Sequence, residues 1–196
     1  MPKMTEVNEP RRRFLIGATS FVAGAGVVGA AIPFVQSWNP SAKAKAAGAP
    51  VKVNIGKLEP GAMVTVEWQG KPVWVIRRTI ENVKNLAMEE HRDELRDPDS
   101  EVNQQPEYAK NEYRSIKEEY FVAVGICTHL GCVPNYEPDG RAELRHALFF
   151  CPCHGSKFDL AGRVFKGVPA PTNLIIPPHQ YLENNVLEIG SDATTR

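Results

Sequence analysis

Cys127-Thr128-His129-Leu130-Gly131-Cys132 and Cys151-Pro152-Cys153-His154-Gly155-Ser156 decide how the rest of this 196-residue chain is read. Each block offers one Cys and one His at ligand spacing and adds a second Cys, so together they can hold one metal centre and close one disulfide. Two thiolates with two imidazoles suit either a tetrahedral zinc or a two-iron, two-sulfide cluster with one iron on each ligand type. Ligand count alone does not choose between them. The extra cysteines, Cys132 and Cys153, occupy corresponding places beside the two blocks and are well placed to tie them together. A zinc finger gains its fold from the metal and rarely needs a bridge, and a bridge requires an oxidising compartment. This combination points to electron transfer.

The N-terminus suggests such a compartment independently. Arg11-Arg12-Arg13-Phe14-Leu15 leads into an uncharged apolar stretch that runs to Val35. At 1.5 Å per helical residue this stretch is roughly 33 Å long, enough to cross a bilayer core of about 30 Å. Basic residues on the near side predict a cytoplasmic N-terminus over residues 1–13, a transmembrane helix over 14–35 and an exported remainder. The Arg-Arg-x-Phe-Leu string also resembles a twin-arginine export signal, a route that carries folded proteins. Ala42-Lys43-Ala44 and Ala44-Lys45-Ala46 look like cleavage sites, but secretory cores run about 7 to 15 residues, so the stretch is expected to stay as an anchor. The protein is therefore expected in a bacterial inner membrane as a single-pass protein with a periplasmic head.

Residues 36–50, rich in Ala, Lys, Gly and Pro, read as a linker that reaches roughly 50 Å when extended. Residues 1–45 hold six Lys/Arg and two Asp/Glu out of 23 of each, which leaves 17 against 21 downstream. The mildly acidic head, residues 51–196, argues against nucleic-acid binding. Strands are predicted at Val51–Ile55, Ala62–Trp68, Pro72–Arg78, Tyr120–Val124, Ala147–Phe150, Leu174–Ile176 and Val186–Ile189, with turns at Glu59-Pro60-Gly61, Gln69-Gly70-Lys71 and Glu183-Asn184-Asn185. One helix is expected from Thr79 to about His91, opening a helix-loop insertion over about 79–116. The expected fold is mainly β: an antiparallel base with a small lobe at about 126–171. The lobe glycines at 131, 155, 162 and 167 suit tight loops around a cofactor. His91, His146 and His179 lie outside ligand spacing and are expected to be surface or hydrogen-bonded residues.

With these residues in view, the chain resembles the Rieske iron–sulfur subunit of bacterial quinol:cytochrome c oxidoreductases, the cytochrome bc complexes. The likeness extends beyond the ligands to Gly155-Ser156, Gly167-Val168-Pro169-Ala170-Pro171, and Leu95-Arg96-Asp97-Pro98 with Gln105-Pro106, so it spans most of the chain including the anchor. The resemblance implies a Rieske-type [2Fe–2S] cluster, with Cys127 and Cys151 on the buried iron, His129 and His154 on the outer iron, and a Cys132–Cys153 disulfide. Two neutral imidazoles in place of two thiolates leave the oxidised centre near zero charge rather than about −2, which favours accepting an electron. His154 first, and His129 second, would accept a hydrogen bond from a quinol hydroxyl and take its proton. Ser156 would donate to a cluster sulfide. Family members often carry a Tyr two residues further on, donating to a Cys sulfur, where this chain has Phe158.

The resemblance implies oxidation of ubiquinol, with electrons passed to a c-type cytochrome. The expected partners are a cytochrome b subunit and a membrane-anchored c-type cytochrome, in a dimeric complex where the linker acts as a hinge. Leu130 and Pro169-Ala170-Pro171 are read either as apolar walls that dock the quinol-binding subunit or as core packing. Two other classes compete. A Rieske ferredoxin serving an oxygenase would share the four ligands but usually lacks the disulfide pair and the helix. An exported zinc-binding adaptor would hold zinc and no inorganic sulfide.

Overall fold

Segments enriched in β-branched and aromatic residues supply most of the nine short strands among the described residues: β1 (Val51–Asn54), β2 (Met63–Trp68), β3 (Lys71–Arg77), β4 (Tyr120–Val124), β5 (Asn135–Glu137), β6 (Leu148–Phe150), β7 (Lys157–Phe158), β8 (His179–Leu182) and β9 (Val186–Ile189). The computed structural model describes residues 8–141, 146–182 and 185–191. All strand pairs are antiparallel, in three three-stranded sheets ordered β1-β9-β8, β2-β3-β4 and β5-β6-β7.

The middle sheet explains how the layers stack. Successive residues of a strand face opposite sides, and on β3 and β4 both sides are apolar. Val73, Val75, Val122 and Val124 pack with Val53, Ile55, Leu187 and Ile189 of the β1-β9-β8 sheet. Trp74, Ile76, Phe121 and Ala123 turn the other way, against Phe149, Phe158, Leu160 and Leu174 of the smaller lobe. Trp74 stacks on Phe149 with ring centroids 4.8 Å apart, a favourable offset arrangement. The core is thus one sheet covered on both faces, and the second cover carries the cysteine loops.

Two helices precede this domain. α1 (Glu9–Ser37) begins before the apolar run because Asn8 caps it, its side-chain oxygen accepting from the Arg11 amide at 3.1 Å, with a proline in the first turn. It is long and apolar enough to cross a membrane. The linker is not wholly irregular as expected: α2 (Ala42–Ala47) forms within it because Ala and Lys favour helix and the Ser41 hydroxyl accepts from the Ala44 amide. Residues 1–46 and 47–196 form separate units.

The helix expected from Thr79 to His91 is two helices, α3 (Ile80–Leu86) and α4 (Glu89–Asp93). Thr79 and Asn82 cap the first reciprocally, Leu86 is drawn into the core, and Met88 turns extended to start the second. A 3₁₀ turn follows at Glu107–Ala109. No strand forms at Leu174–Ile176, because its backbone bonds to two different segments: the Val124 amide donates to Ile175 and the Ile176 amide donates to Gln104. β5, β7 and β8 arise at segments too short or too polar to signal strands by alternation. Of the expected turn at 183–185, Glu183 and Asn184 lie outside the described residues, while Asn185 has φ 60°.

The insertion is pinned to the lobe by backbone pairing: the Arg96 amide donates to Val164 and the Lys166 amide to Glu94. Beneath this seam lies a buried polar network. Asp159, 1% exposed, accepts from the Ala161 and Arg163 amides and from Arg163 Nε at 2.7 Å, and receives His91 Nε2 at 3.1 Å. Although burial opposes ionisation, Arg163 and His91 hold its carboxyl well below the usual range. Arg78 donates to the carbonyls of Leu160, Glu118 and Tyr113, and burial lowers it to about 9. Arg114, lowered by burial to about 10, donates to Ala161, Gly162 and Leu174 carbonyls. These side chains satisfy loop carbonyls that no strand reaches.

Candidate metal centre

The two cysteine blocks fold into the same local frame. In the first, the Cys127 amide donates to the Cys132 carbonyl at 2.7 Å and the Gly131 amide donates back to Cys127 at 3.0 Å. In the second, the Cys151 amide donates to the Ser156 carbonyl at 2.8 Å and the Gly155 amide to Cys151 at 2.9 Å. Each loop therefore closes on itself at its first and sixth residues. The fifth residue must enter the left-handed region, with φ 85° at Gly131 and 75° at Gly155, which glycine meets without strain. Gly162 and Gly167 share this conformation.

That shared frame corrects one expectation. Cys132 is the sixth residue of its loop and Cys153 the third of the other, so they are not at corresponding positions. They are bonded nonetheless, as the Cys132–Cys153 disulfide joining the two loops. Cys127 and Cys151, each the first residue of its loop, stay as free thiols, both 2% exposed and part of the apolar cluster beneath.

His129 and His154 stand on the same side of the joined loops, their rings edge to face with centroids 4.7 Å apart. His154 is exposed, His129 is half-buried, and His129 Nδ1 is buried without a hydrogen-bond partner. Ser156 is fully buried; its Oγ accepts from the Ala170 amide at 3.0 Å, which leaves its own proton for another acceptor. The Thr128 hydroxyl donates to the Thr172 carbonyl at 2.7 Å. Both cysteine loops are thereby tied to the Pro169-Ala170-Pro171 segment. Ala170 is buried while Pro169 and Pro171 are exposed, and Leu130 is 72% exposed, which removes it from core packing.

Burial is the largest influence on the Cys127 thiol and pushes it up; the His129 backbone and the Ser156 hydroxyl act in the opposite direction, and Cys151 adds to the rise. Two thiolates side by side in an apolar wall repel each other, and a metal charge between them reverses that. The donor set, two free buried thiols and two neighbouring imidazoles on the same pair of loops, one with a buried unpartnered nitrogen, fits a cluster with one iron on sulfur ligands and one on nitrogen. Phe158 is fully buried in the same apolar cluster as Cys127 and Cys151. Of the three histidines set aside, none lies on the surface: His91 and His179 are buried and His146 is half-buried.

Comparison with known proteins agrees with this chemistry. The profile of the Rieske [2Fe-2S] domain matches residues 50–180, and the chain belongs to that family. A second profile, the Ubiquitinol-cytochrome C reductase Fe-S subunit TAT signal, matches residues 1–41. The ubiquinol-cytochrome c reductase iron-sulfur subunit of Allochromatium vinosum is 57% identical over 190 residues, covering 95% of this chain and 91% of that protein. The protein of the same name from Blastochloris viridis is 39% identical, covering 92% of this chain and 93% of its own length. A solved structure titled as a hyperthermophilic respiratory Complex III contains a chain 28% identical to this one, with a TM-score of 0.48 and coverage of 89% and 98%.

Proposed function

We propose that the chain is the iron–sulfur electron-transfer subunit of a ubiquinol:cytochrome c reductase. Cys127 and Cys151 hold one iron of its [2Fe–2S] cluster, and His129 and His154 hold the other. The pair of self-closed loops supports this reading most directly, because each loop begins with a free buried thiol and the two carry imidazoles that meet edge to face. When bound, the cluster supplies a one-electron acceptor of raised potential, owing to its two neutral ligands. The chain's own residues do the rest. With iron on one nitrogen, His154, the exposed imidazole, would lose the proton from its outward nitrogen more readily, and that nitrogen could then accept a hydrogen bond from the quinol hydroxyl and take its proton, with His129 second to it. Leu130, Pro169 and Pro171 form an apolar rim that excludes water and faces a cytochrome b subunit. The free proton of Ser156 is donated to a sulfur.

Among the described residues the cysteine loops form one redox-type ligand set, and quinol oxidation belongs to an assembly with cytochrome b and a membrane-anchored c-type cytochrome, itself dimeric. α1 anchors the chain with its N-terminus in the cytoplasm, and the head lies in the periplasm. Residues 36–50 act as the hinge. Iron and acid-labile sulfide analysis, with EPR of the dithionite-reduced full chain, tests the cofactor: two irons and two sulfides per chain are expected. An EPR-silent protein that retains stoichiometric zinc overturns the reading in favour of an adaptor. Replacement of His154 by Ala is expected to abolish quinol turnover in the assembled complex, and intact turnover refutes its role.

A further inference from the structure

A second cluster of ligand-type side chains lies outside the cysteine loops. His91 and Glu94 are three residues apart at the C-terminal end of α4, a spacing that puts both on one helix face. His146 reaches them from the segment that leads into β6. Each of the three offers one ligand atom, and these atoms lie within 4.8 Å of one another. The two imidazoles meet edge to face with centroids 5.2 Å apart.

The decisive observation is the orientation of His91. Its side chain is 6% exposed, and Nε2 is 3.1 Å from Asp159 Oδ2. Arg163 keeps that carboxylate ionised, so it can only accept, and Nε2 must carry the proton. In the neutral ring the lone pair of His91 then sits on Nδ1, which is buried and has no hydrogen-bond partner. His146 Nε2 is likewise buried and without one. Two buried imidazole nitrogens left unpartnered in one cluster are costly unless a bound group satisfies them. A carboxylate behind a histidine, fixing its tautomer and orientation, is the usual support of a metal-ligating imidazole. Beside the two histidines lies a cavity of about 10 Å³, lined by His91, His146 and Asp159 together with Asn82, Asn85 and Leu86 but not by Glu94, with room for one water or one small ion.

We propose that His91, Glu94 and His146 form a second metal site, separate from the cysteine loops and specific for a borderline divalent ion such as Zn²⁺. Two imidazoles and one carboxylate, with no sulfur, suit zinc better than calcium or magnesium, which prefer all-oxygen sites. A fourth tetrahedral position is left to solvent. The ion clamps the end of α4 to the strand that delivers Cys151, closing the seam between insertion and lobe.

The test uses the full-length holoprotein in detergent, dialysed against Zn²⁺, with bound metal quantified and the cluster's EPR signal recorded in parallel. One zinc per chain is expected with the EPR signal unchanged, and zinc X-ray absorption should show nitrogen and oxygen neighbours only. Replacing His91 disturbs Asp159 as well as the metal, so the discriminating variants are His146→Ala and Glu94→Gln. Each should weaken zinc binding by about tenfold or more while the EPR signal persists. No uptake, uptake unaffected by either variant, or sulfur in the zinc shell overturns the site. Loss of the cluster signal on zinc loading, with zinc taken up at the cysteine loops in place of iron, likewise overturns the site.

Discussion

Phe158 fills a buried position in the apolar cluster that contains both free thiols, where a phenol would offer a donor to a sulfur. A hydrogen bond to the more negative, reduced centre is worth about 1 kcal/mol, which is roughly 40 mV for one electron. Phe158→Tyr should raise the midpoint by about that amount in a redox titration. Asp159 carries a different expectation. Replacement by Asn leaves Arg163 buried and uncompensated, which should cost about 3–5 kcal/mol and lower the unfolding midpoint. The carboxyl sits far below its unfolded value near 3.9, so its contribution is complete above about pH 5 and is lost as pH falls through the folded value. Wild-type stability should fall steeply in acid, while the Asn variant should show a flatter profile. The thiols and imidazoles were legible from spacing alone. The buried network was not, because Arg78, Arg114 and Arg163 reach carbonyls up to 82 residues away in sequence, and the Asp159–Arg163 pair, four residues apart, lies outside any helix that its spacing would mark.

The loops and strands carry the next set of consequences. The Cys132–Cys153 bridge spans 21 residues of sequence, and a closed loop of this size is worth roughly 3 kcal/mol. Cys132→Ser should lower the thermal midpoint and loosen one cysteine loop from the other. EPR and iron retention during dialysis should then show faster cluster loss than in the wild type. β2 was readable from its alternation, and β3, β4 and β9 from short apolar runs rich in β-branched and aromatic residues and bounded by turn residues. β7 was not, because two residues give no period, and it exists only through its pairing with β6. Leu174–Ile176 misled for the converse reason: its apolar residues serve the core, but its backbone bridges Val124 and Gln104 instead of joining a ladder. The break between α3 and α4 was hidden because Ala87 and Met88 are acceptable in helices, and only the burial of Leu86 shows why the chain turns there.

At the scale of the whole chain, the twin-arginine segment matched at residues 1–41 determines where the head is delivered. Replacing Arg11 and Arg12 together by Lys should leave the protein in the cytoplasmic fraction, still carrying its cluster, when cells are fractionated and the reduced EPR signal is measured. Normal delivery of that variant would show that α1 is inserted by another route. The long apolar helix was legible from length and hydropathy. The early start of α1 at Glu9 depends on the Asn8 cap, and α2 depends on Ser41, both finer signals than an apolar run.

Each cysteine loop is closed by its own peptide groups, with Gly131 and Gly155 at the turn. The disulfide therefore has only to join two turns that main-chain bonds already hold, rather than to fold either one. Turns ordered in advance in this way lower the ordering cost that any bound group would otherwise meet.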